Sequence, residues 1–478
     1  MTELNLTNTA EAPAWGLSPV PEYKGGKLSA PYATGHGISM GDPERGGVLQ
    51  VVSGTAKEEF LAYFKVLENA GYTRTFYREL GANVYAQYTN GTELVYTYYT
   101  DCEKEVHVIL DLEGDTLDKF NYSYEAKAGD TASFYQYALM FDPTGKGGYN
   151  VEKGKIYENC GLFDVIKLSD NSLVLLDGGW FPQTPEKAVE ECFKFLCEIT
   201  GTGEGEKLRI AALYFTHGHG DHVFMALRLV EKYSDRIVVE RLMHNLPVAH
   251  RDQTFKVLGD LLAEKYPDMK FAKLHTGEEI SLGGVTFDVV FTHDDMVSPE
   301  GISEIREFNN TSVMLKMNAN GRSFMLMGDW GGSYIERDKT EYKPMEKSLI
   351  ESFKLSCGTN YLKSDAIQTG HHAINDWLEN FFAVVDADVA FIPQQDISYD
   401  KMAHSCYNHN VDQLKALGLS DNNIFFDGRY TYGITVDADG NMELSYRDIA
   451  GADDIYLEQI GQYTHFHAPE LGTLVKGK

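Results

Sequence analysis

Several things are scarce in this sequence, and each scarcity closes a door. Six cysteines occur in 478 residues and no two form a CxxC pair. A disulfide framework or a cysteine–zinc knuckle is therefore not the organising feature, and the thiols read as those of a reducing compartment. No run of about 18 apolar residues occurs, so no membrane-spanning helix is expected. The opening MTELNLTNTAEAPAWG has neither a basic n-region nor an apolar core. It does not read as a secretory signal, and a cytoplasmic location is the expectation. Basic residues are also in deficit: 42 Lys and Arg against 71 Asp and Glu leave a net charge of −29. Such a field repels polyphosphates, and no Lys/Arg cluster reverses it locally. Nucleic acid and anionic membranes are not expected as partners. A GxxxxGK[ST] phosphate loop is absent, as is any solenoid-type repeat.

What is present is ordinary globular material, 43% hydrophobic and 24% charged. The length allows two or three domains with a sizeable core. Residues 1–45, rich in Gly, Pro and Ser, read as an irregular lead-in. A small α+β unit is expected over 46–140. It opens with a capping box at Thr55–Glu58 and a helix carrying Phe60, Tyr63, Phe64 and Leu67, stopped by Gly71. Strand-like runs 84–89 and 92–100 flank Asn90-Gly91, a hairpin signal, and 106–110 follows. The tyrosines of these runs are read as cross-strand packing rather than ligand contacts. A Gly-rich linker at 144–149 marks a boundary, and residues 150–478 form the second domain. There, strands at 164–168, 172–176, 210–215, 237–242, 271–274, 279–282, 285–292, 312–317, 323–327, 366–369 and 389–392 mix with helices at 185–199, 223–233, 253–265, 345–357 and 411–417. A terminal hairpin turns at Asp439-Gly440. Many strands come in hairpins, which favours two sheets with outer helices over a doubly wound parallel sheet.

One stretch concentrates metal-binding side chains: YFTHGHGDHVFMALRLVEKY, residues 214–233. His217, His219, Asp221 and His222 fall within six positions, after an apolar strand and before an amphipathic helix. Imidazole and carboxylate are natural ligands of divalent transition metals. On a strand running into a turn, His217 and His219 point the same way and can bite one ion. Asp221 and His222 lie past the bend and can serve a second ion, about 3.5–4 Å off in two-metal sites. The glycines permit the tight path. Four ligands on one loop do not complete such a site, so others must come from elsewhere.

HGHGDH resembles the HxHxDH motif of the metallo-β-lactamase superfamily. LLDGG (175–179) is similar to that fold's opening hairpin, MLMGDWG (325–331) to the strand ending in a bridging aspartate, and AIQTGHHA (366–373) to the late strand ending in a metal-binding histidine. The resemblance spans roughly residues 150–450 and looks closest to the stand-alone and DNA-uptake-type hydrolase branch. That branch often reads HHG where this chain has HHA. The resemblance implies a four-layer αββα sandwich, of mixed α+β and α/β class, behind the small N-terminal domain. It implies Asp329 as the bridging ligand and His371 as the late histidine, with His372 as the fallback. His293 is the candidate middle histidine for the first ion, with His244 behind it. Asp177 is expected to orient ligands through hydrogen bonds rather than to bind metal.

The resemblance also implies two divalent metal ions, zinc first, with manganese or iron as alternatives. Asp221 would orient or deprotonate the attacking water, making the chain a metal-dependent hydrolase of a small ester-, amide- or phosphodiester-type substrate. An iron-dependent oxidoreductase and a non-catalytic binding protein of the same fold are the alternatives, since fold alone does not choose a chemistry. Trp330, Tyr334, Tyr399, His404 and His409 are candidate substrate contacts. The N-terminal unit is open to a role at the active-site rim or in a homo-oligomer.

Overall fold

The computed structural model describes residues 13–35, 37–38, 40, 46–138, 149–150, 155–156, 161–179, 186–247, 253–298, 301–302, 308–331, 349–350, 352–353, 360–373, 379–393, 410–427 and 430–448. Two large sheets face each other. The first has strand order Lys270–Lys273, Arg241–His244, Leu208–Phe215, Leu173–Asp177, Phe163–Lys167, Ala132–Gln136, Tyr430–Val436 and Met442–Asp448, with Ile237–Val239 also on Leu208–Phe215. The second runs Glu279–Leu282, Val285–Phe291, Met314–Ala319, Arg322–Leu326, Ala366–Gln368, Val389–Ile392 and Ile424–Phe426.

Three apolar cores, set by strand alternation, arrange these sheets into four layers. Between the sheets, Ile166, Val174, Leu176 and Tyr214 of the first pack on Phe287, Val289, Leu315 and Phe324 of the second. The intervening residues Val165, Leu175, Leu213 and Phe215 face the other way, onto Cys192 and Leu196, Met225 and Leu229, and Phe255 and Leu258. Those residues belong to the helices Glu186–Thr200, Phe224–Tyr233 and Gln253–Lys265. On the far side, Met325, Ile367 and Ala390 pack on Phe381, Phe382 and Leu414 of the helices Glu379–Val385 and Asn410–Ala416. The αββα order thus follows from period-2 strands that are apolar on both faces. No helix among the described residues is long and apolar enough to cross a membrane.

The N-terminal sheet is separate, with order Lys27–Leu28, Gly47–Ser53, Glu105–Asp111, Leu94–Thr100, Asn83–Thr89 and Thr73–Leu80. The helix Lys57–Asn69 buries Phe60, Tyr63, Phe64 and Leu67 on one face, as its spacing predicts. Its capping box sits one residue later than expected: the Glu59 carboxylate accepts the Ala56 N–H at 3.0 Å and the Thr55 hydroxyl at 3.0 Å. The other face carries Tyr85, Tyr96 and Tyr98, wholly buried against Val297 of the sandwich. The hairpin tyrosines are thus packing residues, some of them at the seam between the two units.

Three expectations shift. The stretch 1–45 is not merely irregular: Lys27–Leu28 and Tyr32–Ala33 pair with Gly47–Ser53, and Leu17, Val20 and Tyr23 complete the helix-side core. Strand Ala132–Gln136, inside the expected N-terminal range, pairs instead with Phe163–Lys167 and Tyr430–Val436, because Ala132 and Phe134 fill the inter-sheet core. The run 237–242 breaks at Glu240, whose N–H bonds the Ile210 carbonyl at 2.9 Å. The linker at 144–149 and the helix at 345–357 fall mostly outside the described residues.

A buried charged chain fastens the N-terminal sheet to the sandwich. His275 is clamped between Asp111 at 2.8 Å and Asp294 at 2.7 Å. Burial opposes charge on His275, yet the two carboxylates raise its pKa to about 10. A raised imidazole contributes stability that is whole below its ordinary value near 6.5 and is lost as pH climbs through about 10. His275→Ala would leave both carboxylates buried without their partner and is expected to cost about 3–5 kcal/mol at pH 6. Urea denaturation should show that penalty shrinking as pH rises from 6 to 10.

Candidate metal centre

The parallel strands of both sheets end at the same rim, where crossover topology places ligands. From the first sheet, Leu173–Asp177 ends in Asp177 and Leu208–Phe215 runs into Thr216 and His217. From the second, Arg322–Leu326 leads to Asp329 and Ala366–Gln368 to the 371–372 doublet. Close approach of the two sheets is built into glycines. Gly328 has φ +58°, and a Cβ there would stand 2.7 Å from the Thr216 side chain. Within the second sheet's own strand ends, a Cβ at Gly370 would meet the Trp330 carbonyl at 2.1 Å.

Asp177 sits at the turn with φ +59° and is fully buried. Its carboxylate accepts the Thr216 N–H at 2.8 Å, the Thr216 hydroxyl at 2.8 Å and the His222 Nδ1–H at 2.7 Å. It therefore orients others, as expected. Because the Thr216 hydroxyl donates to Asp177, its oxygen accepts from His217 Nδ1, 3.0 Å away. That fixes the tautomer of His217 and leaves Nε2 as an acceptor aimed inward. His217 Nε2 lies 3.0 Å from His219 Nδ1. His222 Nε2 lies 3.2 Å from Asp329 Oδ2, and His217 Nε2 lies 3.8 Å from the same oxygen.

The doublet resolves in one direction. His372 is buried, and its Nδ1 donates to the Pro393 carbonyl at 2.6 Å. Its Nε2 is left facing Asp329 at 3.5 Å and Asp221 at 3.8 Å. The structure therefore brings His372 Nε2 into the carboxylate group, whereas the sequence ranks His371 first. The cause is the backbone: His371, His372 and Ala373 adopt φ values of +41°, +55° and +57°. Ala373 stands where the resembling branch often has glycine, and it keeps the left-handed turn without glycine's freedom. Strain of this kind costs about 1–3 kcal/mol per residue and gathers at functional sites.

Electrostatics follow from burial and charge. Burial holds His217 well below the ordinary imidazole range, and His222 beside it pushes the same way. His219 is lowered by burial against the pull of Asp221 and Asp329. Burial disfavours charge on His222, but Asp329 and Asp177 outweigh it and raise its pKa well above the ordinary value. His372 is likewise raised, Asp329 overcoming burial. The Asp329 carboxyl, though buried, is held well below the usual range by His222 and His372. His371 is held down to about 4 by burial, with Asp329 opposing.

Two groups of donors converge closely enough to share an ion: His217, His222 and Asp329, and Asp221, His222 and His372, each set within 4.8 Å. Asp329 Oδ1 and His372 Nε2 are buried polar atoms without a hydrogen-bond partner. Orphaned inward-facing donors of nitrogen and oxygen type fit a divalent cation centre.

His293 is not brought to either group. Strand Val285–Phe291 ends in a short turn capped by Thr292, and His293 turns toward the seam, bonding Asn245 at 3.0 Å and facing Tyr32. Burial takes its pKa to about 4. His244, the second choice, packs on Phe271, and its Nδ1 accepts the Leu246 N–H at 3.3 Å. Trp330 is corrected too: it is wholly buried, edge-on to Phe291 and beside Phe381, a core residue rather than a substrate contact. Tyr334, Tyr399, His404 and His409 lie outside the described residues.

Some supporting residues escape sequence reasoning. The Gln368 side-chain carbonyl accepts the Met327 and Gly328 N–H groups at 2.9 and 3.0 Å, pinning the backbone before Asp329. Ser312 Oγ accepts the Asp329 N–H at 3.0 Å. Phe308 stacks on the His219 ring at 4.9 Å. The signals in the sequence were the run NNTSVML, which holds Ser312, and AIQTGHHA, which holds Gln368.

No family model and no curated protein matches the chain. Among solved structures, it is similar to CmlA, a diiron beta-hydroxylase from Streptomyces venezuelae, with 12% identity and a TM-score of 0.31 over 62% of this chain and 53% of that one. It is also similar to two mutants of a flavo di-iron protein from Thermotoga maritima. One has 16% identity and a TM-score of 0.22 over 40% of this chain and 41% of that one. The other has 14% identity and a TM-score of 0.24 over 56% of this chain and 63% of that one. The chain thus spans 53%, 41% and 63% of the lengths of these three structures. Likeness at this level carries no argument about activity.

Replacing Asp177 by Asn should lower metal affinity about 10–100-fold, read by chelator competition, because the carboxylate that orients His222 is lost. His372→Ala should cost more retained metal than His371→Ala, a comparison made by elemental analysis of the two purified variants.

Proposed function

We propose that the chain is a metal-dependent hydrolase of metallo-β-lactamase type, acting on a small ester-, amide- or phosphodiester-type substrate. Within that superfamily, the run NNTSVMLKM followed by MLMGDW resembles the stand-alone and DNA-uptake-type branch, from which HHA in place of HHG is a departure. The observation that carries this reading is the convergence of His217, His222 and Asp329 with Asp221 and His372, drawn from three separated segments into one pool. His217, His219 and Asp329 would hold one cation, and Asp221, His222, His372 and Asp329 the other, with zinc the first expectation. Two such cations, when bound, supply Lewis acidity toward a carbonyl or phosphoryl oxygen and lower the pKa of water at the site.

The chain's own residues do the rest. Asp177 and Thr216 hold His217 and His222 in the tautomers that present Nε2 inward. Pro393 does the same for His372. Asp221 is half-buried at the edge of the pool, 3.8 Å from His372. In this reading its carboxylate accepts the proton of an attacking water and passes it to the leaving group. The net charge of −29 keeps polyanions away and favours a small substrate over nucleic acid.

A second reading, an iron-dependent oxidoreductase, draws on the same donor set: all nitrogen and oxygen with no thiolate, which suits iron as well as zinc or manganese. Elemental analysis of protein purified without chelator separates the two. Zinc or manganese with turnover of chromogenic esters, lactams or bis(p-nitrophenyl) phosphate supports hydrolysis. Iron with visible absorption and no such turnover supports the second. Under the hydrolase reading, Asp221→Asn is expected to lower kcat about 10²–10⁴-fold. Absence of turnover with any metal would sink both enzymatic readings.

A further inference from the structure

Between the two loops that carry Asp329 and His372 lies one uncharged side chain, Gln368. Its strand, Ala366–Gln368, pairs in parallel with Arg322–Leu326, and the ladder stops at Leu326 and Gln368. Past that point both chains turn left-handed, Gly328 at φ +58° and His371 at φ +41°. A parallel ladder does not continue through such turns. The peptide groups of Met327 and Gly328 must therefore find partners off the ladder, just before the ligands begin. Ala366 faces the inter-sheet core and Ile367 the outer one, so alternation points Gln368 between the sheets, where it is 1% exposed.

Gln368 stands in for the missing rungs. Its side-chain carbonyl accepts the Met327 N–H at 2.9 Å and the Gly328 N–H at 3.0 Å. Its side-chain NH₂ donates to the Gly328 carbonyl at 3.2 Å and to the Thr369 carbonyl. The Gly328 carbonyl also accepts the His371 N–H at 3.3 Å. A primary amide has two acceptor lone pairs and two donor hydrogens, and here all four are used. Three of the bonds hold the chain immediately before Asp329. The fourth holds the chain entering the 371–372 doublet. A carboxylate of the same length would accept but not donate, and a thioether would donate nothing.

Resting on the metal-centre reading above, we propose that Gln368 is the positioning residue that ties Asp329 to His372, so that the facing carboxylate and the late imidazole are presented to metal as one unit. It acts through those two ligands and not on a substrate. Metal affinity falls steeply when the groups that orient ligands are lost, so freeing either loop loosens the metal even where the fold stands.

The test is titration of the metal-free, full-length chain with Co²⁺, followed by its visible ligand-field bands. Circular dichroism and the melting temperature of the metal-free form are recorded for each variant. Gln368→Met keeps the length of the side chain and removes its donors. It should weaken Co²⁺ binding about 10–100-fold and shift the bands. Gln368→Glu keeps the acceptors alone and should fall between Gln368→Met and the unaltered chain; it decides the matter if the Met variant does not fold. Ile367→Ala, one residue away and turned into the outer core, lowers the melting temperature by leaving a cavity and should keep both Co²⁺ affinity and bands. Unchanged affinity and bands in the Gln368 variants, or a loss in Ile367→Ala that matches theirs, would overturn the positioning role and leave the metal centre standing. Failure of the unaltered chain to bind any Co²⁺ would instead bring down the metal-centre reading, and this inference with it.

Discussion

A single buried carboxylate holds the rim of this molecule together. Asp177 spends its two oxygens on three hydrogen bonds: the Thr216 amide, the Thr216 hydroxyl and the His222 ring. Two parallel strands of one sheet are thereby tied at their carboxyl ends, and two imidazoles are fixed in rotation and tautomer. Without it, His217 and His222 would be ordinary buried histidines, free to turn their lone pairs elsewhere. The left-handed backbone at Asp177 is accepted because these bonds over-determine it.

The second sheet answers with equal economy. Gln368 and Ser312 pin the backbone before Asp329, and the missing Cβ at Gly328 lets that strand end come against Thr216. A short left-handed run then turns His372 onto the same pool. The result is a set of nitrogen and oxygen donors in a water-poor setting, where charge interactions are stronger than in solvent. His222 between two carboxylates, and Asp329 between two imidazoles, hold opposite charges in place of one another.

The N-terminal sheet is fastened to this scaffold by a different logic. Its tyrosine-rich face and the Asp111–His275–Asp294 clamp make a seam that is apolar at Tyr85, Tyr96 and Tyr98 and ionic beside them. His293, which the resemblance offers as a candidate middle histidine for the metal, belongs to this seam. Both places favour a buried histidine at a strand end, and a linear pattern does not distinguish them.

Much was legible from residue order alone. Period-2 runs located nearly every strand of the sandwich, Asn-Gly turns marked the hairpins, and HGHGDH announced a metal-type loop, because these signals act over fewer than ten residues. Asp177 as an orienting group and Asp329 as a facing carboxylate were also readable from motifs in order. What only tertiary structure decided was long-range and rotational. The pairing of strand Ala132–Gln136 with a sheet assembled far downstream was one such matter. Others were the inward turn of His372, the diversion of His293, the burial of Trp330, and the presence of Asn309 beside His219. The deciding quantity was how side chains point once two sheets have closed on each other, and that is set by packing partners from tens to hundreds of residues away.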